Sequence, residues 1–231
     1  MNNPFSFFDK IFYINLDSRP DRRDIVEENF RKIGITAERF PAIVLSHEQN
    51  QNLIKDGCVF RGEERPVHSR YTKSCALSHL SVILRAKLME YENVLIFEDD
   101  VIFHDDILEE LSKSIEELKT MDRWDMFYLG CNPMQYKKIS PHLGKSLGAF
   151  GGHAYAVNRH FYDVVLNIPF KHMPCIDMYY EILGQHNPNH NLFMALKNLV
   201  WQAPGYSDLE EAEVDYFFAT RARYDSNMIE E

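Results

Sequence analysis

Short apolar runs and apolar stripes of helical spacing take turns along this chain. KIFYIN (10–15) is apolar, rich in β-formers and closed by polar residues, so it reads as a buried strand. DSRPDRR follows. Asp17 or Ser18 can open a turn, Pro20 suits the first position of a helix, and Gly34 can end it. Between them Ile25/Val26, Phe30 and Ile33 recur at helical spacing. A second short strand is predicted over 37–44. Strand, loop, helix, strand is the opening of a parallel α/β sheet.

Residues 46–71 lack periodicity and read as a long loop, the kind that in compact domains often carries function. Ala76/Leu77, Leu80, Ile83/Leu84 and Leu88 then mark one face of a helix over SCALSHLSVILRAKLME. VLIF (94–97) reads as a strand. Ile107/Leu108, Leu111, Ile115 and Leu118 line a helix over 106–120, with Asp105 or Asp106 as its cap. DMFYLG (125–130) is a further strand, and 131–147 a loop with one or two polar edge segments. GGHAYAVNR (151–159) is a strand entered through glycines, with a helix over HFYDVVLNI after it. IDMYYEIL is a short helix, NLVWQAP a late strand, and GYSDLEEAEVDY the start of an acidic tail. Without a repeat or a low-complexity linker, the 231 residues are expected to form one α/β domain over 1–231.

Composition narrows the chemistry. At 45% apolar and 13% aromatic the chain can build a real core. A formal charge of -10 argues against a nucleic-acid partner, although local cations or a metal could still hold a small phosphorylated ligand. Cys58, Cys75, Cys131 and Cys175 contain no C-x-x-C pair, which points away from zinc; Cys75 and Cys131 sit among apolar residues and are expected as buried thiols in a reducing compartment. The first residues lack the pattern of a signal peptide, and no apolar run approaches the ~18 residues of a bilayer span, so a soluble cytoplasmic protein is expected.

The sharpest local feature is VLIFEDDV (94–101), where a strand runs into Glu98, Asp99 and Asp100. In an extended chain Glu98 and Asp100 point one way and Asp99 the other. Carboxylates at the C-terminal edge of a parallel sheet sit where such sheets place ligands, and an all-oxygen set suits Mg²⁺ or Mn²⁺. An acidic turn leading into the helix at 106 is the competing reading.

FYINLDSRPDRR, CALSHLSVI, LIFEDDVIF and GGHAYAVNR, in this order and spacing, resemble glycosyltransferase family 25, over about residues 10–210. The resemblance implies a GT-A-type nucleotide-sugar-binding fold, with a mostly parallel central sheet flanked by helices. It implies inverting transfer of a hexose, commonly galactose from a UDP-sugar, to a glycan or hydroxylysine hydroxyl, as in lipopolysaccharide biosynthesis and collagen modification. It also implies a divalent ion, Mn²⁺ or Mg²⁺, held on the donor diphosphate by a DxD-like motif. Here that motif is Glu98, Asp99 and Asp100, with either Glu98–Asp100 or Asp99–Asp100 as the working pair.

Other candidates carry two readings each. Arg19, Arg22 and Arg23 crowd a helix N-terminus whose dipole disfavours cations; Arg19 and Arg22 are the better diphosphate ligands, and Asn15 faces the base or ribose on the family pattern. Ser78 and His79 match the family's LSH and are expected to face the donor rather than form a hydrolase dyad. Gly151, Gly152 and His153 let backbone approach a ligand, or form a bulge. Asp177 is the first candidate for general base, or a helix cap. Ser207, Asp208 and Glu210 either complete the site, with Asp208 as the reserve base, or cap a polar turn. Trp124 and Trp201 read as core. The rivals are an inactive nucleotide-sugar- or glycan-binding relative, and a metal-dependent phosphoesterase whose additional ligand set is not identifiable.

Overall fold

The computed structural model describes residues 3–58, 66–168 (66–69 by backbone alone), 175–187, 189–208, 212–216, 224 and 226–229. The chain begins with β1 (Lys10–Asn15), α1 (Pro20–Lys32) and β2 (Glu38–Pro41), followed by α2 (His47–Lys55) and α3 (Pro66–Leu88). Next come β3 (Asn93–Glu98), β4 (Val101–Phe103), α4 (Ile107–Leu118), β5 (Met126–Pro133), β6 (Tyr136–Lys138) and β7 (Leu143–Ser146). β8 (Ala149–Asn158), α5 (Tyr162–Leu166), α6 (Ile176–His186) and β9 (Leu192–Ala195) follow, and β10 (Val200–Gln202), β11 (Gly205–Ser207) and β12 (Ala212–Val214) close the described chain.

Local signals behave as the sequence leads one to expect in α1 and α4. Pro20 stands at the first turn of α1, and Gly34 takes a φ of 69° just beyond its end. Val26 and Phe30 are buried, while Ile25 points to solvent. Ile107, Leu111, Ile115 and Leu118 of α4 are buried. Asp106 precedes α4 but does not bond its backbone; its carboxylate takes Lys197 instead.

Two expectations change. The segment 46–71 is not one long loop. Ser46 and Gln49 bond each other's backbone N–H groups in a capping box that starts α2, and α3 begins at Pro66. The cap residues are ordinary polar ones, so the apolar period alone does not register them. The acidic segment at 205–216 is partly a hairpin, β11 against β12.

The main sheet has eight strands in the order β2-β1-β3-β8-β5-β9-β7-β6. β8 and β7 run against the other strands, so the directions are mostly parallel while the sheet is hydrogen-bonded as a mixed one. β8 lies between β3 and β5 and is antiparallel to both. β4 and β10 form a small antiparallel ribbon of their own.

Strand alternation splits the core into two halves on one sheet. Phe12, Ile14, Val94 and Ile96 face α3, α5 and α6, packing with Val82, Ile83, Val165 and Tyr180. Ile11, Tyr13, Leu95 and Phe97 face α1 and α4, packing with Val26, Phe30, Leu111 and Ile115. Each such side chain contributes about 1.5–3 kcal/mol on burial. The rings of Phe30 and Phe97 stand 5.5 Å apart and tie α1 to β3, which fixes the helix N-terminus beside the acids that end that strand.

Candidate active site

The chain leaves β1 for β2 on one side, while β3 pairs with the other side of β1. The C-terminal ends of β1 and β3 therefore flank a switch point, where open α/β sheets form a crevice. A cavity of about 440 Å³ opens there. Its wall includes Asn15, Arg22, Ser78, His79, Glu98 and Asp99. Asp100, Gly151, Gly152, Asp177, Ser207 and Asp208 also line it, so most residues singled out in the sequence meet in one place.

The three acids have separate partners. Asn15 Nδ2 donates to Asp99 Oδ2 at 2.7 Å, and Arg22 Nη1 donates to Asp99 Oδ1 at 2.9 Å. Glu98 turns to His79, whose Nε2 is 3.3 Å from Oε1, while Gln202 Nε2 donates to Oε2 at 3.4 Å. Asp100 has Arg22 at 3.5 Å from Oδ2, and its Oδ1 is buried without a hydrogen-bond partner among the described residues. Burial, then the Glu98 charge, push the Asp100 carboxyl up to about 7. Burial also raises Asp99, against the pull of Asn15 and Arg22. For Glu98 burial pushes upward, yet the hydrogen bond from His79 leads the contacts that leave it below its ordinary value.

An orphaned carboxylate oxygen beside a second carboxylate is a site short of positive charge. Glu98 and Asp100 thus fit an oxygen-bound divalent ion: Asp100 Oδ1 is open and the Glu98 oxygens are held only by long contacts of 3.3 and 3.4 Å, whereas both Asp99 oxygens are held closely by Asn15 and Arg22, at 2.7 and 2.9 Å.

Arg22 also donates to the Tyr206 carbonyl at 2.7 Å, tying α1 to β11. Arg19 behaves differently from Arg22. It pairs with Asp21 at 2.9 Å and Asp208 at 2.6 Å and is not among the residues lining the cavity. Arg23, beside Asp24 and half exposed, is also outside the lining. The Arg19 pairing holds the reserve base Asp208 as an ion-pair partner. Glu210 lies outside the described residues.

Asp177 lines the cavity from the first turn of α6. It is not the cap, since Cys175 occupies that position; the Asp177 carboxylate accepts its neighbour Met178 N–H at 2.8 Å and a hydrogen bond from the Cys175 thiol.

Two more of the expected donor residues, besides Arg19, are otherwise employed. His153 is buried, with Nε2 donating to the Val200 carbonyl at 3.1 Å, and it does not line the cavity. Burial lowers its pKa and keeps it neutral. Alternation puts the His153 ring on the face where a Cβ on Gly151 would also point, 3.1 Å from its Nδ1, while the opposite face at Gly152 looks toward Glu98 and the cavity. A Cβ on Gly152 would stand 3.2 Å from Glu98 Oε1, and Gly151 holds a φ of 110°. Ser78 does line the wall, but its hydroxyl donates to Ser74 O at 2.7 Å and accepts Ile43 N–H at 2.8 Å, anchoring the segment after β2.

Several contributors left no local signal. Arg39 donates to Asn15 Oδ1 at 2.9 Å and fixes its amide so that Nδ2 points to Asp99. Tyr155 OH lies 2.9 Å from His79 Nδ1, and Tyr180 OH donates to Tyr155 OH at 2.8 Å. With Glu98 ionised, His79 donates from Nε2 and accepts at Nδ1, which satisfies this buried line of hydroxyls. Cys131 is buried, as expected, but Cys75 is only half-buried and lines the cavity. Its position is visible in sequence only as the residue four before His79. Trp124 is buried and Trp201 half-buried.

Comparison with known proteins adds the family context. The profile described as "Glycosyltransferase family 25 (LPS biosynthesis protein)" matches residues 8–148. A "Glycosyltransferase 25 family member" of Aedes aegypti is 25% identical over 207 residues, 84% of this chain and 34% of that protein. "Procollagen galactosyltransferase 2" of Mus musculus is 33% identical over 138 residues, 57% of this chain and 22% of that one. "Inactive glycosyltransferase 25 family member 3" of Homo sapiens is 26% identical over 196 residues, covering 79% and 33%. The chain therefore spans about a third or less of the length of these curated relatives. No helix among the described residues is long and apolar enough to cross a membrane.

Proposed function

Because the chain belongs to glycosyltransferase family 25, we propose that its β1–β3 cavity carries out metal-dependent, inverting transfer of a hexose from a UDP-sugar. The observation that carries this reading is the unpartnered Asp100 Oδ1 beside Glu98, inside a cavity that Arg22 also faces. Galactose is the proposed sugar and a glycan or hydroxylysine hydroxyl the proposed acceptor, on the likeness to the procollagen enzyme and on the profile's description.

Glu98 and Asp100 would hold Mn²⁺ or Mg²⁺, which supplies positive charge to the departing diphosphate. Asp99 fixes Arg22, and Arg22 presents a guanidinium fork to the diphosphate oxygens. Asn15, held by Arg39, sits at the end of β1 for the base or ribose. Asp177, with no ion-pair partner among the described residues, takes the acceptor proton as its hydroxyl attacks the anomeric carbon. Asp208 is the less suitable base because Arg19 already claims it.

A second reading, a relative that binds a nucleotide-sugar or glycan without turnover, draws on the human protein named inactive at similar identity. One screen separates the two. UDP release is measured with several UDP-sugars and acceptors, with and without Mn²⁺. Release that needs both Mn²⁺ and acceptor supports transfer. UDP binding without release under any pair supports the inactive reading.

A further inference from the structure

Above the acids, the cavity wall carries a second donor set of different chemistry. Cys75 and His79 stand four residues apart on α3, so both project from one face of the helix. Cys75 Sγ, a ring nitrogen of His79 and a carboxylate oxygen of Glu98 all lie within 4.8 Å of one another. All three residues line the cavity, which leaves the space in front of them open to a further ligand. The far side of the imidazole is anchored, with Nδ1 2.9 Å from Tyr155 OH and Tyr155 OH in turn bonded by Tyr180 at 2.8 Å.

We propose that Cys75, His79 and Glu98 form a binding site for a borderline-soft divalent ion, Zn²⁺ by preference, distinct in composition from the all-oxygen pair Glu98 and Asp100. Three protein ligands drawn from thiolate, imidazole and carboxylate, with a fourth position open, is the general form of accessible zinc sites, and Cys75, His79 and Glu98 supply one of each. Bond lengths of about 2.0–2.3 Å require the three donor atoms to draw in by about 1 Å, which side-chain rotation into the open cavity provides. On binding, the Cys75 thiol gives its proton to solvent and the sulfur takes the ion. His79 gives up its Nε2 contact with Glu98 to the ion and carries its ring proton on Nδ1, where the Tyr155 oxygen accepts it; a hydroxyl serves either tautomer. Glu98 contributes as it stands. Since Glu98 belongs to both sets, an ion held here denies Glu98 to the oxygen pair. That antagonism, unlike the site itself, rests on the function proposed above.

The test uses the full chain, stripped of metal by chelation and titrated with Co²⁺, whose thiolate complexes absorb in the near ultraviolet. A charge-transfer band saturating at one ion per chain and erased by Zn²⁺ is expected. The band should vanish in Cys75→Ser. His79→Gln should weaken binding by more than the roughly 10- to 100-fold typical of losing an outer partner of a ligand. Cys175→Ser and Asp100→Asn should retain it. Circular dichroism checks that each variant folds. Should Cys75→Ser not fold, Zn²⁺ protection of Cys75 from alkylation in the parent protein, read by mass spectrometry, replaces it. Absence of the band in the parent, its survival in Cys75→Ser, its loss in Cys175→Ser alone, or unprotected Cys75 overturns the proposal. Asp100→Asn separates the two ideas: the proposed UDP·Mn²⁺ binding fails there while the cobalt band persists. The cobalt titration also stands whatever the sugar-donor screen returns.

Discussion

Arg22 Nη1 lies 2.9 Å from Asp99 Oδ1, joining the first turn of α1 to the turn after β3. A cation at a helix N-terminus works against the helix dipole. Here the acids at the end of β3 offset that cost, and the same guanidinium reaches Asp100 and the Tyr206 carbonyl. One side chain thereby links α1, the acidic turn and the closing hairpin.

Arg22→Ala should weaken UDP binding by roughly 10- to 100-fold, the equivalent of one lost charge-assisted hydrogen-bond set. UMP and uridine should be affected less, because they offer fewer phosphate oxygens. Isothermal titration with all three ligands reads the difference. Parent-like UDP affinity in the variant would restrict Arg22 to tying the fold.

Removal of divalent metal should abolish the tight component of UDP binding, since Glu98 and Asp100 alone repel a diphosphate. Titration after exhaustive chelation, then after Mn²⁺ is restored, checks this. Equal affinity in both states would refute it.

Asp100 gives a pH signature. Its carboxyl is raised to about 7 in the folded chain, from an ordinary 3.8. Between those values the native state keeps a proton that the unfolded chain has released. The associated stability is present in full below the lower value and is lost as pH rises to the upper one. In metal-free protein, Asp100→Asn stays uncharged throughout, so its melting temperature relative to the parent should climb as pH goes from about 4 to 7. The difference should amount to a few kcal/mol at most. An offset that does not change with pH would show that Asp100 is ionised normally.

Asp177→Asn should leave donor affinity near that of the parent, because its role starts when the acceptor attacks. Turnover should fall by roughly 100- to 10,000-fold. UDP-sugar binding and transfer rate are measured side by side; normal transfer would shift attention to Asp208.

Gly130→Ala tests the assignment of His153 to the frame of the cavity. A Cβ at Gly130 would come within 2.0 Å of the Val200 carbonyl and 2.7 Å of His153 Nε2. The substitution should cost at least the ~1–3 kcal/mol typical of overpacking, through the β5–β10 contact. Thermal melting decides, and an unchanged melting temperature would mean this contact yields freely.

What the sequence determined by itself were the features written in neighbouring residues. The period of α1 and α4, Pro20 and Gly34, the buried run of β3 and the acids that end it are local facts of backbone and burial. So is the order of the four segments that resemble family 25. The partners of strands were a different matter. β3 and β8 are both buried on two faces, and a continuous apolar run carries no mark of parallel or antiparallel neighbours. Short β4 and β9 were too brief to announce themselves. Only the tertiary structure chose between Arg19 and Arg22, because two arginines three residues apart differ in which long-range carboxylate each meets. It alone turned His153 inward and brought Tyr155 and Tyr180 behind His79, since alternation along β8 and the packing of α6 decide what each ring touches. Cys75 and Glu98 come together for the same reason: helix pitch sets Cys75 over His79, and only the docking of α3 on the sheet supplies the carboxylate.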